Sequence, residues 1–286
     1  MTTDKRGSKS APGMRLAGFG DEIDPDPSVQ VAVLQALGAS AIDVRAAWGR
    51  NVVTLADTEL SSLRSLFEEK GIGVSCVASP VGKSELSLDP EEETSRLERA
   101  LHAASVLNAE YVRVFSFYVP AGAQKAARSD VLRRMEHFTR KAEKAGSVLV
   151  LENEKGIFGD VPSRIFDIVN TIESPALQVA WDPANFVQVG VAPMRDAYDL
   201  LRPYVRYVHI KDARFSDGSV TLPGQGDGDI SATLAALHRS GYDGFVSLEP
   251  HLASASSMSG FSGATAFGEA ARALVSLTKE AGVTLK

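Results

Sequence analysis

The stretch from Ile72 to Phe115 decides the fold: IGVSCV at 72–77, DPEEETSRLERALHAASVL at 89–107 and EYVRVF at 110–115. The outer pieces are short, apolar and rich in Val, as strands are. The middle piece opens like a helix. Asp89 fits an N-cap, Pro90 the first helical position, and Glu91 to Glu93 the positive end of the helix dipole. Leu97, Leu101, Ala104 and Leu107 then share one face, so this helix lies half-buried on a sheet.

The same alternation runs through the chain. Strand-like runs fall at Met14–Phe19, Ala41–Arg45, Ile72–Val77, Glu110–Phe115, Ser147–Leu151, Leu177–Trp181, Val205–Ile210 and Gly244–Leu248. One intervening helix gathers Leu60, Leu63, Leu66 and Phe67 and stops at Gly71; another gathers Val131, Leu132, Met135, Phe138 and Ala142 before Gly146. After a Ser- and Gly-rich loop from Ala253 to Gly263, a last helix runs through Phe267, Ala270, Leu274 and Leu277. Eight strand-helix units with nearly unbroken apolar strands favour one closed (β/α)8 TIM barrel over residues 14–286, rather than an open doubly wound sheet. Gly18 and Gly20 do not make a dinucleotide turn, because Asp21 to Pro25 separate them from any helix.

At 286 residues and 30.4 kDa, with 44% hydrophobic and 23% charged residues, the chain matches a folded globular protein. A net charge of -6 and the lack of a long basic run argue against a nucleic-acid partner. No apolar run is long enough to span a membrane. Cys76 has no second cysteine to pair with, and no Cys/His zinc pattern exists, so a reducing, cytoplasmic address is expected. Residues 1–13 are small, polar and charged, and are expected to be a disordered tail rather than a secretory signal.

In a barrel of this kind, polar side chains at the carboxyl ends of the strands surround the active site. The second half of the chain supplies four in succession: Glu152 after VLVL, Asp182 after VAW, His209 after YV, and Glu249 after VSL. They are spaced about one strand-helix unit apart, so three carboxylates and one imidazole would converge. Without a cation, converging acids repel one another. Three oxygens and one nitrogen suit Mn²⁺, Mg²⁺, Co²⁺ or Zn²⁺, and Mn²⁺ is the ion favoured here. The alternative is that each is an ordinary strand-end residue facing solvent.

Strand alternation places Glu154, Lys211 and His251 beside Glu152, His209 and Glu249, as candidates for holding substrate. Arg113, inside YVRVF, is a further candidate for holding substrate; if buried it needs an acidic partner, Glu154 or Glu22 being the expected one, and its role is then structural. His102, His137 and His238 fall in helical segments away from the mouth.

The segments VLVLENE, WDPANF, YVHIKDA and SLEPH resemble, in order and spacing, the ligand segments of the sugar phosphate isomerase/epimerase family with a xylose-isomerase-like TIM barrel. GFGDEIDP at 18–25, RVFSFY at 113–118 and GQGDGD at 224–229 add to the likeness, which spans the chain from about Met14. Within its ketose 3-epimerase branch, the resemblance implies that Glu152, Asp182, His209 and Glu249 bind the metal and that Glu152 and Glu249 are the acid/base pair. An enediolate would be the route to inversion. The likeness lapses at Asn185, Phe158 and Phe215, where that branch carries a substrate-contacting His, Glu and Arg; Asn185 retains amide donors.

The resemblance therefore implies a metal-dependent sugar isomerase or epimerase with a small sugar or polyol as its partner, homo-oligomers being admitted. A lyase or dehydratase on a polyol ketone or keto acid, of inosose or dehydroshikimate type, uses the same metal and nearly the same base. A sugar-binding barrel without turnover is the third reading. The endonuclease branch would need many histidines at the mouth, where only His209 and His251 are placed.

Overall fold

The computed structural model describes residues 13–255 and 260–286. The expected tail lies outside the described residues except for Gly13, which is buried. The barrel strands are β1 Arg15–Gly18, β2 Ala41–Val44, β3 Gly73–Val77, β4 Tyr111–Val114, β5 Val148–Glu152, β6 Leu177–Trp181, β7 Val205–Ile210 and β8 Phe245–Leu248. Each pairs in parallel with its neighbours in the order β1-β8-β7-β6-β5-β4-β3-β2. A parallel bridge between Phe19 and Asp43 brings the sheet back on itself.

The main helices are α1 Pro27–Ala36, α2 Asp57–Lys70, α3 Pro90–Leu107, α4 Gln124–Ala145, α5 Pro162–Ile172, α6 Tyr198–Leu201, α7 Ile230–Arg239 and α8 Gly263–Glu280. Their ends follow the residues that signalled them. Asp89 Oδ1 accepts the Glu91 N–H at 3.0 Å at the start of α3, and Gly71 and Gly146 end α2 and α4 with φ of 68° and 69°. The sixth unit is broken into Pro183–Val187, a wide turn at Pro193–Ala197, and α6, with a proline opening each of the first two pieces. The loop expected from Ala253 to Gly263 contains a short antiparallel pair, Ser254–Ala255 with Gly260–Phe261.

Both faces of the strands are buried, for two different reasons. Outward residues such as Leu16, Ile42, Val112, Leu149, Val179, Val208 and Val246 join the helix faces in the main core. Inward residues Ala17, Ala41, Cys76, Tyr111, Val150, Ala180, Tyr207 and Phe245 make a separate cluster that fills the barrel. Its floor is aromatic, with Tyr111, Tyr207 and Phe245 edge-on or tilted at 5.6 to 6.4 Å. Further along the axis the lining turns polar. Asp43 accepts hydrogen bonds from Ser75, Tyr207 and Ser247, which ties β2 to β3, β7 and β8. Burial pushes the Asp43 carboxyl up, and the three hydroxyl donors oppose the shift. No described helix is long and apolar enough to cross a membrane.

Candidate metal centre and active site

At the mouth, Glu152, Asp182, His209 and Glu249 are each no more than 2% exposed, so they are not ordinary solvent-facing strand ends. One ligand atom from each lies within 4.8 Å of the others. His209 Nδ1 stands 3.5 Å from Glu152 Oε1 and 3.3 Å from Glu249 Oε2, and its ring packs edge-to-face with that of Phe19. The two oxygens of Asp182 face different partners. Oδ1 accepts the Asn185 N–H at 2.9 Å and caps the helix opened by Pro183, while Oδ2 faces Lys211 Nζ at 2.5 Å. A reciprocal amide clamp fixes the ends of β5 and β6. Asn153 Nδ2 donates to Asp182 O at 2.8 Å, and Asp182 N donates to Asn153 Oδ1 at 2.9 Å.

These residues fit a divalent cation. Glu152 Oε2, Asp182 Oδ2, His209 Nδ1 and Glu249 Oε2 are buried without a hydrogen bond of acceptable geometry. Their near neighbours are Arg113 at 3.1 Å, Lys211 at 2.5 Å and one another, and three carboxylate oxygens and an imidazole nitrogen gathered in this way are a donor set that suits a divalent ion. Burial raises Asp182 to about 6 against the pull of Lys211. For Glu152, burial is outweighed by His209 and Arg113, which hold the carboxyl at about 2. Glu249 is held well below the ordinary carboxylate range, because Lys211, His209, His251 and Arg113 together exceed the effect of burial. Burial works against a charged His209, but Glu152 and Glu249 reverse the direction and raise it. The cluster thus calls for positive charge at its centre, from an imidazolium or a cation.

Arg113 is placed differently from expectation. Its partners are the glutamates themselves, with Nη1 at 3.1 Å from Glu152 Oε2 and 3.4 Å from Glu249 Oε1. Glu154 pairs instead with Lys83 at 2.6 Å, and Glu22 with His251 Nδ1 at 2.6 Å. The expected neighbours Glu154, Lys211 and His251 do line the same cavity as Glu152 and Glu249, as do Asn185 and Arg113. Asn185 Nδ2 donates to Glu152 Oε1 at 3.1 Å and to Asn153 O at 2.8 Å, so the amide holds a member of the cluster in place. Phe158 is buried in the main core, whereas Phe215 is 46% exposed on a loop.

Sequence reasoning missed Arg45. It donates to Asp21 Oδ2 at 2.8 Å, Glu249 Oε1 at 3.1 Å and Gly260 O at 2.9 Å, tying together the loops after β1, β2 and β8. The strand-end reasoning used for β5 to β8 would have found it just beyond β2. The GQGDGD segment is structural, since the N–H groups of Gly224, Gly226 and Gly228 all donate to the Asp212 carboxylate next to Lys211.

The family model described as Xylose isomerase-like TIM barrel matches residues 31–277, and the chain belongs to that family. Among curated proteins, the 2-epi-5-epi-valiolone 7-phosphate 2-epimerase of an Actinoplanes species is 26% identical over 218 residues, covering 76% of this chain and 79% of that protein. A D-tagatose 3-epimerase-like protein superposes with a TM-score of 0.77 at 17% identity, covering 94% of this chain and 98% of its own. The IOLI protein, solved with a bound zinc atom, gives 0.73 at 17% identity over the same shares. These two likenesses are likenesses of fold.

Proposed function

We propose that this barrel is a divalent-cation-dependent isomerase or epimerase of a sugar-like or polyol ketone, moving a proton at the carbon beside the carbonyl. One observation carries the reading: two buried glutamates, from β5 and from the end of β8, meet the same imidazole nitrogen, His209 Nδ1, at 3.5 and 3.3 Å and line one cavity. The curated relative's name, an epimerase, supports the class. Glu152, Asp182, His209 and Glu249 would hold the cation, with Mn²⁺ the first ion to test among Mn²⁺, Mg²⁺, Co²⁺ and Zn²⁺; when bound, it supplies Lewis acidity toward the carbonyl oxygen.

The chain's own groups do the rest. One glutamate takes the proton from the carbon, and the other returns a proton from the opposite side, which inverts the centre. Arg113 touches both carboxylates and keeps them ionised and oriented. Lys211, beside Asp182, and His251 present nitrogen donors to substrate oxygens, where charge builds as the proton leaves. Asn185 fixes the Glu152 carboxylate, and Glu154 meets the substrate nearer the mouth.

The test is proton exchange. Protein reconstituted with each cation is incubated in D₂O with ketoses, inososes and keto acids, and deuterium is sought at the carbon beside the carbonyl. Exchange with epimer or isomer formation is expected. Loss of water would transfer the site to the lyases, and binding without exchange would leave a sugar-binding barrel.

A further inference from the structure

Beyond the two glutamates, the cavity wall holds an ion pair that the proton chemistry does not use. Glu154 lies two residues past Glu152, so an extended chain carries it about 6.6 Å further toward the mouth on the same side. Its Oε2 is 2.6 Å from Lys83 Nζ, and the two side chains are only 10% and 14% exposed. Both line the cavity of 210 Å³ that also contains Glu152 and Glu249.

Lys83 is held firmly in place. The loop before α3 runs alongside the chain after β4, with Phe115 N donating to Val81 O at 2.8 Å, Phe117 N to Gly82 O at 2.7 Å and Tyr118 N to Ser84 O at 2.8 Å. Buried Glu93 on the first turn of α3 accepts the Gly82 N–H at 2.7 Å. Gly82 has φ of 77°, and a Cβ there would sit 2.1 Å from Phe115 O, so only glycine lets the loop come this close. The lysine then lies over the Phe115 ring, its Nζ 4.9 Å from the centre.

An ion pair so nearly dehydrated does little for stability, since its desolvation offsets its attraction. It does retain hydrogen-bonding capacity toward the cavity. Glu154 Oε1 accepts the Lys155 N–H at 2.9 Å, and Lys83 Nζ has three protons, of which Glu154 takes one. A donor and an acceptor side by side match two neighbouring hydroxyls, one accepting from Lys83 and one donating to Glu154. A phosphate at this point would meet the repulsion of Glu154.

We infer that Lys83 and Glu154 determine specificity by reading a neutral vicinal diol at the end of the substrate remote from the reacting carbon. The inference rests on the ketone reading above. Its test compares deuterium uptake by the cation-loaded protein on the four D-ketohexoses with uptake on D-erythrulose, a ketose too short to carry the distal diol. Wild type should favour its best ketohexose over erythrulose. In Lys83→Met, Glu154→Gln and the double variant, that preference should fall about 10- to 100-fold, the usual loss when charged hydrogen bonds to a substrate hydroxyl are removed. The double variant should melt no lower than wild type. The exchanged pair, Lys83→Glu with Glu154→Lys, should recover part of the preference. An equal loss on both ketoses, leaving the ratio at its wild-type value, overturns the inference while the ketone reading stands. Exchange with inososes but with no ketose overturns the inference while the ketone reading stands; exchange with no ketone at all removes that reading, and this inference with it.

Discussion

Strands β5 to β8 bring one cavity its carboxylates, and strands β1 to β4 bring it cations alone among their charged side chains. From the second half Glu152, Glu154 and Glu249 line it, with Asp182 and His209 beside them and Lys155, Lys211 and His251 as its basic members; from the first come Arg45, Arg113 and, in the loop after β3, Lys83. The pairing crosses the barrel. Arg45 reaches Glu249, and Arg113 reaches both glutamates. One half therefore presents the groups that would hold a cation and move a proton, and the other, through Arg113, adds counter-charge to what His209, Lys211 and His251 already set against burial.

The sharpest way to break this division is to neutralise the glutamates. Glu152→Gln and Glu249→Gln keep shape and volume but cannot accept a proton. Each should lower deuterium uptake about 10²- to 10⁴-fold, with an unchanged circular-dichroism spectrum. A variant that keeps most of its exchange would remove its glutamate from the acid/base role. Next in size is Arg113→Met, which leaves two buried carboxylates short of counter-charge. It should lower stability by about 3 to 5 kcal/mol in denaturant unfolding without a cation. Saturation with Mn²⁺ should recover part of the loss, because a site short of counter-charge gains more from the cation than wild type does. A loss of the same size with and without Mn²⁺ would mean that Arg113 acts by packing on Phe19 and Phe115, whose rings lie 5.3 and 4.8 Å from its guanidinium.

The same division governs what was legible in the sequence. Glu152, Asp182, His209 and Glu249 each follow an uninterrupted apolar run, so a strand end and a polar side chain coincide along the chain. The barrel was legible for a related reason: Asp89-Pro90, Gly71 and Gly146 mark helix ends by local chemistry. Arg45 and Arg113 were harder, since their partners lie on distant segments, 204 residues away for Arg45 and Glu249. Arg113 was expected to pair with Glu154 or Glu22, and nothing local along the chain points to Glu152 and Glu249 instead. Asp43 gave no signal at all. A carboxylate inside AIDV is tolerated only because Ser75, Tyr207 and Ser247, from three other strands, satisfy it.

Acidity probes the ligand half at a smaller scale. Asp182 must be ionised to hold a cation, yet burial raises it to about 6 despite Lys211. Below that pH, binding must expel a proton, so cation affinity should fall about tenfold per unit, and His209, also raised, steepens the fall. Glu152, held at about 2, contributes nothing in this window. The sign for stability is opposite: a carboxyl raised on folding stabilises the cation-free protein at low pH, and that contribution is lost between 3.8 and about 6. Calorimetric titration with Mn²⁺ from pH 5 to 7 checks the first statement. A flat affinity would show that Asp182 is already ionised throughout.

The smallest change tests whether the halves are separable. Asp89→Ala removes the cap of α3 and should cost about 1 kcal/mol in denaturant unfolding. Cation affinity should stay at its wild-type value, because the four ligands ride on β5 to β8 or directly beyond them and none is carried by β3, α3 or the loop between them. The cap does bear on the other half. Glu93 on the first turn of α3 holds Gly82, and through it Lys83, so fraying there would loosen the lysine before it disturbed a ligand. A fall in Mn²⁺ affinity that tracks the lost stability would mean that strain in the first half reaches the ligands, and that the division of labour between the two halves is drawn in the wrong place.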